Sequence, residues 1–134
     1  MANGKEVIGG PVMVGQTTLP MSMAVRAGDF VFLSGMLAMD EAGDFDFSGD
    51  IAEQTRLTLE AVERLLVQAG CTRDDVVKSV VYLKDRGDFG AFNAAYGAFF
   101  DTAPPVRTAI CTDFVVEGVR VEIDVTAYVP GQDA

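Results

Sequence analysis

From Val119 to Tyr128, apolar and polar residues alternate strictly: Val119, Val121, Ile123 and Val125 on one side, Arg120, Glu122, Asp124 and Thr126 on the other. A period of two places successive side chains on opposite faces of an extended chain, so this segment is a strand with one apolar and one polar face. Its apolar row demands a layer of structure packed against it.

The preceding pattern supplies that layer. Two short extended runs between Ser22 and Ser34 flank Ala27-Gly28-Asp29, and Gly28 with Asp29 has the chemistry of a hairpin turn. Phe30 and Phe32 then point one way, Val31 and Leu33 the other. Asp50-Ile51-Ala52-Glu53 has the spacing of a capping box, and Leu59, Val62, Leu66 and Ala69 recur at helical spacing, with Thr55 and Leu65 at the edges of the stripe. Gly70 stands where a left-handed C-terminal cap is wanted. Val76 to Leu83 is β-branched; alternation puts Val77, Ser79, Val81 and Leu83 on one face and Val76, Lys78, Val80 and Tyr82 on the other. A second helix starts at Asp88 and carries Phe89, Phe92, Tyr96, Phe99 and Phe100 on one side, a stripe read as core, until Pro104-Pro105 stops it. Another strand, Val106 to Thr112, precedes the alternating one.

The order is ββαβαββ, with an extra strand near Glu6 and an ordered loop or mobile arm over Gly9 to Pro20. We expect an α+β, two-layer fold: a mixed sheet of about six strands with two helices on one face. The helix-free face carries Phe30 and Phe32, or Val31 and Leu33, together with Val80, and calls for a partner subunit as its cover. A mean hydropathy of +0.25 points the same way. With 134 residues, 49% of them hydrophobic, one core suffices. We expect a single domain over residues 1–134, with residues 1–20 as arm or strand and 21–129 as core.

Composition excludes several functions. Ten basic against 20 acidic residues, net charge −10, opposes binding to nucleic acid, whose affinity rests on Lys and Arg displacing counterions. No apolar run approaches the ~20 residues of a membrane span, the N-terminus lacks a secretory pattern, and two cysteines, Cys71 and Cys111, form no disulfide framework. A soluble, cytoplasmic protein is expected. Histidine is absent, which removes Ser-His-Asp and Cys-His catalysis and disfavours a transition-metal site. No phosphate-binding glycine motif is present. Asp44 to Ile51 imitates the first half of a calcium loop, but Thr55 occupies the twelfth position and no helix precedes it, so it is read as a solvated acidic turn.

Three polar residues remain. Arg107 opens a strand after Pro104-Pro105-Val106; alternation would let its guanidinium face the helix-free side of the sheet and grip a carboxylate with two parallel hydrogen bonds, a structural salt bridge being the alternative. Glu122 lies on the polar face of the last strand. It would share a cleft with Arg107 if the two strands were neighbours or met across a subunit boundary, and there it could orient water. Asn93 falls on the aromatic flank of the second helix, where a buried amide needs partners.

Ser22-Met23-Ala24-Val25-Arg26-Ala27-Gly28-Asp29-Phe30-Val31-Phe32-Leu33-Ser34-Gly35 resembles the hairpin signature of the RidA/YjgF family, the imine and enamine deaminases, whose older labels are endoribonuclease L-PSP and translation inhibitor. Asp74 to Lys78, Asp88-Phe89 with Phe92 to Tyr96, Pro105-Val106-Arg107 and Val121-Glu122-Ile123 are similar to the family as well, so the likeness spans about residues 20 to 128. It implies a chorismate-mutase-like (bacillus type) fold, a homotrimer with clefts at subunit boundaries, and no cofactor. It further implies that Arg107 holds the substrate carboxylate, that Glu122 holds the attacking water, and that Ser34 and Gly35 line the cleft near Asn93. Hydrolysis of 2-aminoacrylate and related 2-imino acids to 2-keto acids and ammonia is the implied reaction. Met21 and Ala109 stand where the archetypal enzymes carry a tyrosine and a cysteine, and Cys111, two residues past Ala109, does not replace the latter. Ser34 to Asp40 also looks like the subgroup acting on 3-aminoacrylate, and other relatives deaminate 2-aminomuconate. A non-catalytic keto-acid or amino-acid binding or regulatory trimer is the alternative.

Overall fold

A computed structural model of the chain describes residues 4–131; of the expected 1–134 domain, residues 1–3 and 132–134 lie outside the described residues. Six strands form one mixed sheet: β1 (Lys5–Ile8), β4 (Ala24–Ala27), β5 (Phe30–Leu33), β6 (Val76–Leu83), β7 (Val106–Cys111) and β8 (Val121–Tyr128), in the spatial order β1-β4-β5-β8-β6-β7. The expected strand near Glu6 is β1. Within Gly9 to Pro20, the chain adds a two-residue-per-strand hairpin, β2 (Met13–Val14) and β3 (Thr17–Thr18), too short to leave a periodic signal. Among the described residues only β6 and β7 pair in parallel, as the two ends of a strand-helix-strand crossover. Among the described residues no helix is long and apolar enough to cross a membrane.

Helix α1 (Ile51–Gln68) begins as the Asp50 spacing requires: the Asp50 carboxylate accepts the Glu53 amide at 2.9 Å. At its other end, Gly70 adopts φ +78°, and the amides of Gly70 and Cys71 bond the carbonyls of Val67 and Leu66, a closed Schellman cap. No basic residue occupies the last turn of α1; Arg26, buried on β4, donates to the Ala69 carbonyl there instead. Helix α2 (Phe89–Phe99) buries Phe92, Tyr96 and Phe99, with Phe100 following, against α1 and the sheet. Phe89 departs from the expected stripe: it lies at the first helical position and stays 44% exposed. The helix also ends five residues before Pro104, so the prolines shape the loop and not the stop.

Both helices cover one face of the sheet. Val31 and Leu33, Ser79, Val81 and Leu83, and Val121, Ile123, Val125 and Ala127 point into that layer and are buried. The alternation expected for β6 fails at its start, because a bulge between Val76 and Lys78 leaves Val77 without a partner on β8. One extra residue inverts the faces, so Val76 is buried at 5% exposure and Val77 is 42% exposed. The helix-free face presents Phe30, Phe32 and Tyr128, whose rings touch at 5.1 to 6.2 Å, with exposed Val106 and Ile110 at the other edge.

Candidate active site

Register decides where Arg107 goes. On β7 it pairs with Ser79, as Ala109 pairs with Val81 and Cys111 with Leu83, and all three β6 partners face the helices. Arg107 therefore projects to the helical side of the sheet edge, not to the helix-free side that alternation alone allowed. The reason is that β7 takes its facing from β6, and neighbouring residues in a sheet share a face. Its guanidinium lies over α2, 5.0 Å from the Tyr96 ring and 5.7 Å from those of Phe89 and Phe92. Nη1 donates to Oδ1 of Asn93 at 2.9 Å. Burial pushes the Tyr96 phenol up, opposed by its 2.6 Å hydrogen bond with Ser79 and by the Arg107 charge.

That setting holds a cation without neutralising it. Arg26, Arg56, Arg73 and Arg120 each meet a carboxylate, whereas Arg107, like Arg64 and Arg86, meets none among the described residues, in a chain with twice as many acids as bases. The structural salt bridge considered for it is not formed. One of its five N–H donors is tied to Asn93 and the fork stays exposed. It lines a shallow cavity of about 260 Å³ with Asn93, Tyr96, Pro104 and Pro105, and a second, of about 190 Å³, lies further along β7 at Arg86, Phe89, Ala109 and Cys111. Asn93 thus adjoins Arg107, and Ala109 lies two residues along the same face of β7.

Glu122 occupies a second locus. It pairs with Tyr82 on the helix-free face of β8, and β6 separates its strand from β7. Burial, then the nearby Asp124, raises its carboxyl above the ordinary carboxylate range. Asp124 is raised by burial too, and accepts the Tyr82 hydroxyl at 3.3 Å; no hydrogen bond among the described residues engages Glu122. Gly35 lies against it so closely that a Cβ there would come 2.1 Å from Oε2. Ser34 donates its hydroxyl to the Ser22 carbonyl at 2.7 Å, which holds the end of β5 in place. Met21 and Gly35 line a third cavity, of about 450 Å³.

The expected site residues therefore fall into two groups on opposite faces of one sheet: Arg107, Asn93 and Ala109 on the helical side of the β7 edge, and Met21, Ser34, Gly35 and Glu122 at the end of β5 and on β8. Within one chain the strands of Arg107 and Glu122 are not neighbours, and their side chains do not share a cleft. The sequence reading missed Phe89 as an exposed ring beside Arg107 and the set of methionines around Met21. Only the second left a trace, since five of the six methionines fall between Met13 and Met39. The acidic loop behaves as a turn: Asp40 accepts the amides of Ala42 and Asp44, and Asp46 those of the Ser48 amide and hydroxyl.

A profile of the family described as endoribonuclease L-PSP matches residues 16–129. The 3-aminoacrylate deaminase RutC of Acinetobacter baylyi is 34% identical over 110 residues, covering 82% of this chain and 87% of that one. The 2-iminobutanoate/2-iminopropanoate deaminase of Capra hircus is 35% identical over 108 residues, covering 81% and 79%. The crystal structure of E. coli TdcF with bound serine superposes with a TM-score of 0.79 at 29% identity, covering 92% of this chain and 98% of that one. With the hairpin, the mixed sheet and the match to nearly the whole described chain, the protein belongs to the endoribonuclease L-PSP family, that of the RidA/YjgF proteins.

Proposed function

We propose that the protein is a hydrolytic deaminase of 2-imino and enamino acids, with each site built from Arg107 of one protomer and Glu122 of the next in a homotrimer. The observation that carries this reading is the uncompensated Arg107 fork, held ready by Asn93 and three aromatic rings. It suits a substrate carboxylate, which would take the free N–H donors two at a time. The sequences of relatives named as 3-aminoacrylate and 2-iminobutanoate/2-iminopropanoate deaminases support the reaction class, and the exposed apolar helix-free face supports the assembly.

The chemistry asks little more of the protein. An iminium carbon beside a carboxylate is electrophilic already, so orientation of one water supplies much of the acceleration. Glu122 accepts a proton as the water oxygen bonds to that carbon and the C–N π pair moves to nitrogen. The proton then passes to the amine, the new hydroxyl returns its own proton to Glu122 as the C–O π bond forms and the C–N bond breaks, and 2-keto acid and ammonia leave. For an enamine, one earlier proton transfer to the β-carbon gives the imine, with the N–H proton released in exchange. A carboxyl raised by burial both gives and takes protons more readily near neutrality than an ordinary glutamate.

The test is to generate 2-iminopropanoate in situ with an amino-acid oxidase and follow ammonia and pyruvate release above the spontaneous rate. The native protein should accelerate release, and Arg107→Ala should lower kcat/KM by about 10- to 100-fold, the worth of a charge-assisted contact. No acceleration by the native protein would sink the assignment.

Met21 and Ala109, which withhold a phenol and a thiol from the site, favour a second reading: a binding protein for 2-keto acids or amino acids. Under it, a keto acid would raise Tm with no ammonia released from any imino acid.

A further inference from the structure

Five methionines, Met13, Met21, Met23, Met36 and Met39, line the cavity of about 450 Å³ that Gly35 also borders. Among the described residues, Asp44 is the one charged residue on its wall. The same Gly35 is in contact with the Glu122 carboxylate, so the cavity opens beside the group assigned to hold the attacking water. We propose that this cavity seats the substrate's side chain, and that the protein prefers 2-imino acids bearing a large apolar side chain over those bearing a methyl. The inference rests on the deaminase reading and names its substrate class.

Geometry and chemistry argue together. The carboxylate end is fixed at Arg107 and the reacting carbon sits near Glu122, so the substituent on that carbon extends along Gly35 into the methionine-lined space. A volume of this size falls in the range of ligand-sized pockets and far exceeds what a methyl fills. Unbranched, polarisable thioethers repack around differing apolar shapes, so aliphatic, thioether and aromatic side chains all fit the wall. Asp44 repels a second carboxylate, which counts against imino acids derived from glutamate or aspartate and against dicarboxylic enamines. Met21 thereby gains a role as a specificity-determining residue.

The experiment compares kcat/KM for the imino acids made in situ from alanine, leucine, phenylalanine and glutamate. The leucine-derived substrate should exceed the alanine-derived one by about 10- to 50-fold, following the extra methylenes buried, and the glutamate-derived one should be poorest. Met21→Asn should bring the leucine-to-alanine ratio down at least five-fold, a change in selectivity that mere loss of folding does not produce. Phe45→Asn, at another half-exposed wall position, serves if Met21→Asn fails to fold. A ratio of one or less in the native protein overturns the proposal while leaving the deaminase reading intact. A ratio that neither variant moves, with an altered oligomer mass, overturns it in favour of a subunit contact at this cavity. If no imino acid is turned over, the deaminase reading falls; tighter calorimetric binding of 4-methyl-2-oxopentanoate than of pyruvate, weakened by Met21→Asn, then upholds the pocket, and equal binding overturns it.

Discussion

At Glu122 the consequences of burial can be read in pH. The folded carboxyl holds its proton more tightly than in the unfolded chain, so above the ordinary value of 4.5 the folded state binds more protons and stability falls as pH rises through the raised value. Glu122→Gln should therefore raise Tm at pH 8, with the gain shrinking to nothing by about pH 4. In catalysis the sign reverses: the water-holding carboxylate must be ionised, so kcat should fall about ten-fold per pH unit below an apparent value higher than 4.5. Melting curves and a kcat profile over the same pH range check both limbs. Gly35 offers a companion test. A Cβ there would meet the end of the Glu122 side chain at 2.1 Å, not backbone, so the carboxylate can swing aside without disturbing the fold. Gly35→Ala is expected to lower kcat/KM by about 10- to 100-fold through that displacement while Tm stays nearly unchanged. An equal loss of stability and activity would show a structural glycine instead.

At the scale of elements, most boundaries follow from local chemistry. Asp50 caps α1, and Gly70 ends it at a φ of +78° that an L-residue adopts at a cost. Gly70→Ala should destabilise the protein by about 1 kcal/mol, measured by denaturant unfolding with an unchanged m-value. Where the sequence misled, a non-local cause intervened. The face inversion at Val76 and Val77 comes from a bulge, which alternation cannot reveal because a bulge is defined by the partner strand's register with β8. Phe89 belongs to the aromatic pattern of α2 but sits at its first position, half-exposed, with its ring beside Arg107. The hairpin β2–β3 was invisible for a simpler reason: two residues per strand carry no period.

The whole molecule supplies the strongest test of the divided site. In one chain, Arg107 and Glu122 point to opposite faces with β6 between their strands. If each site takes one residue from each of two neighbours, then Arg107→Ala and Glu122→Ala, each impaired alone, should recover activity above either single variant when unfolded and refolded together. Random mixing in a cyclic trimer leaves about a quarter of the sites with both native residues, and about that share of native activity is expected. No recovery, with mixed oligomers confirmed by native mass spectrometry, would place both residues of a site in one protomer or remove one of them from the chemistry.

The sequence by itself determined the six strands of the main sheet, the two helices and their order, the buried rows of β5 and β8, and both ends of α1, and it singled out Arg107, Glu122 and Asn93 as candidates. Caps, alternation and helical spacing are short-range, and each is written in neighbouring residues. Only the tertiary structure decided which side of the sheet Arg107 faces, because β7 inherits its facing from parallel pairing with β6. It alone gathered methionines from a loop, a hairpin and two bridges into one cavity beside Gly35. And it separated Arg107 from Glu122, since strand order is set by how the crossover and the hairpin pack on one core, a choice made between residues far apart in the chain.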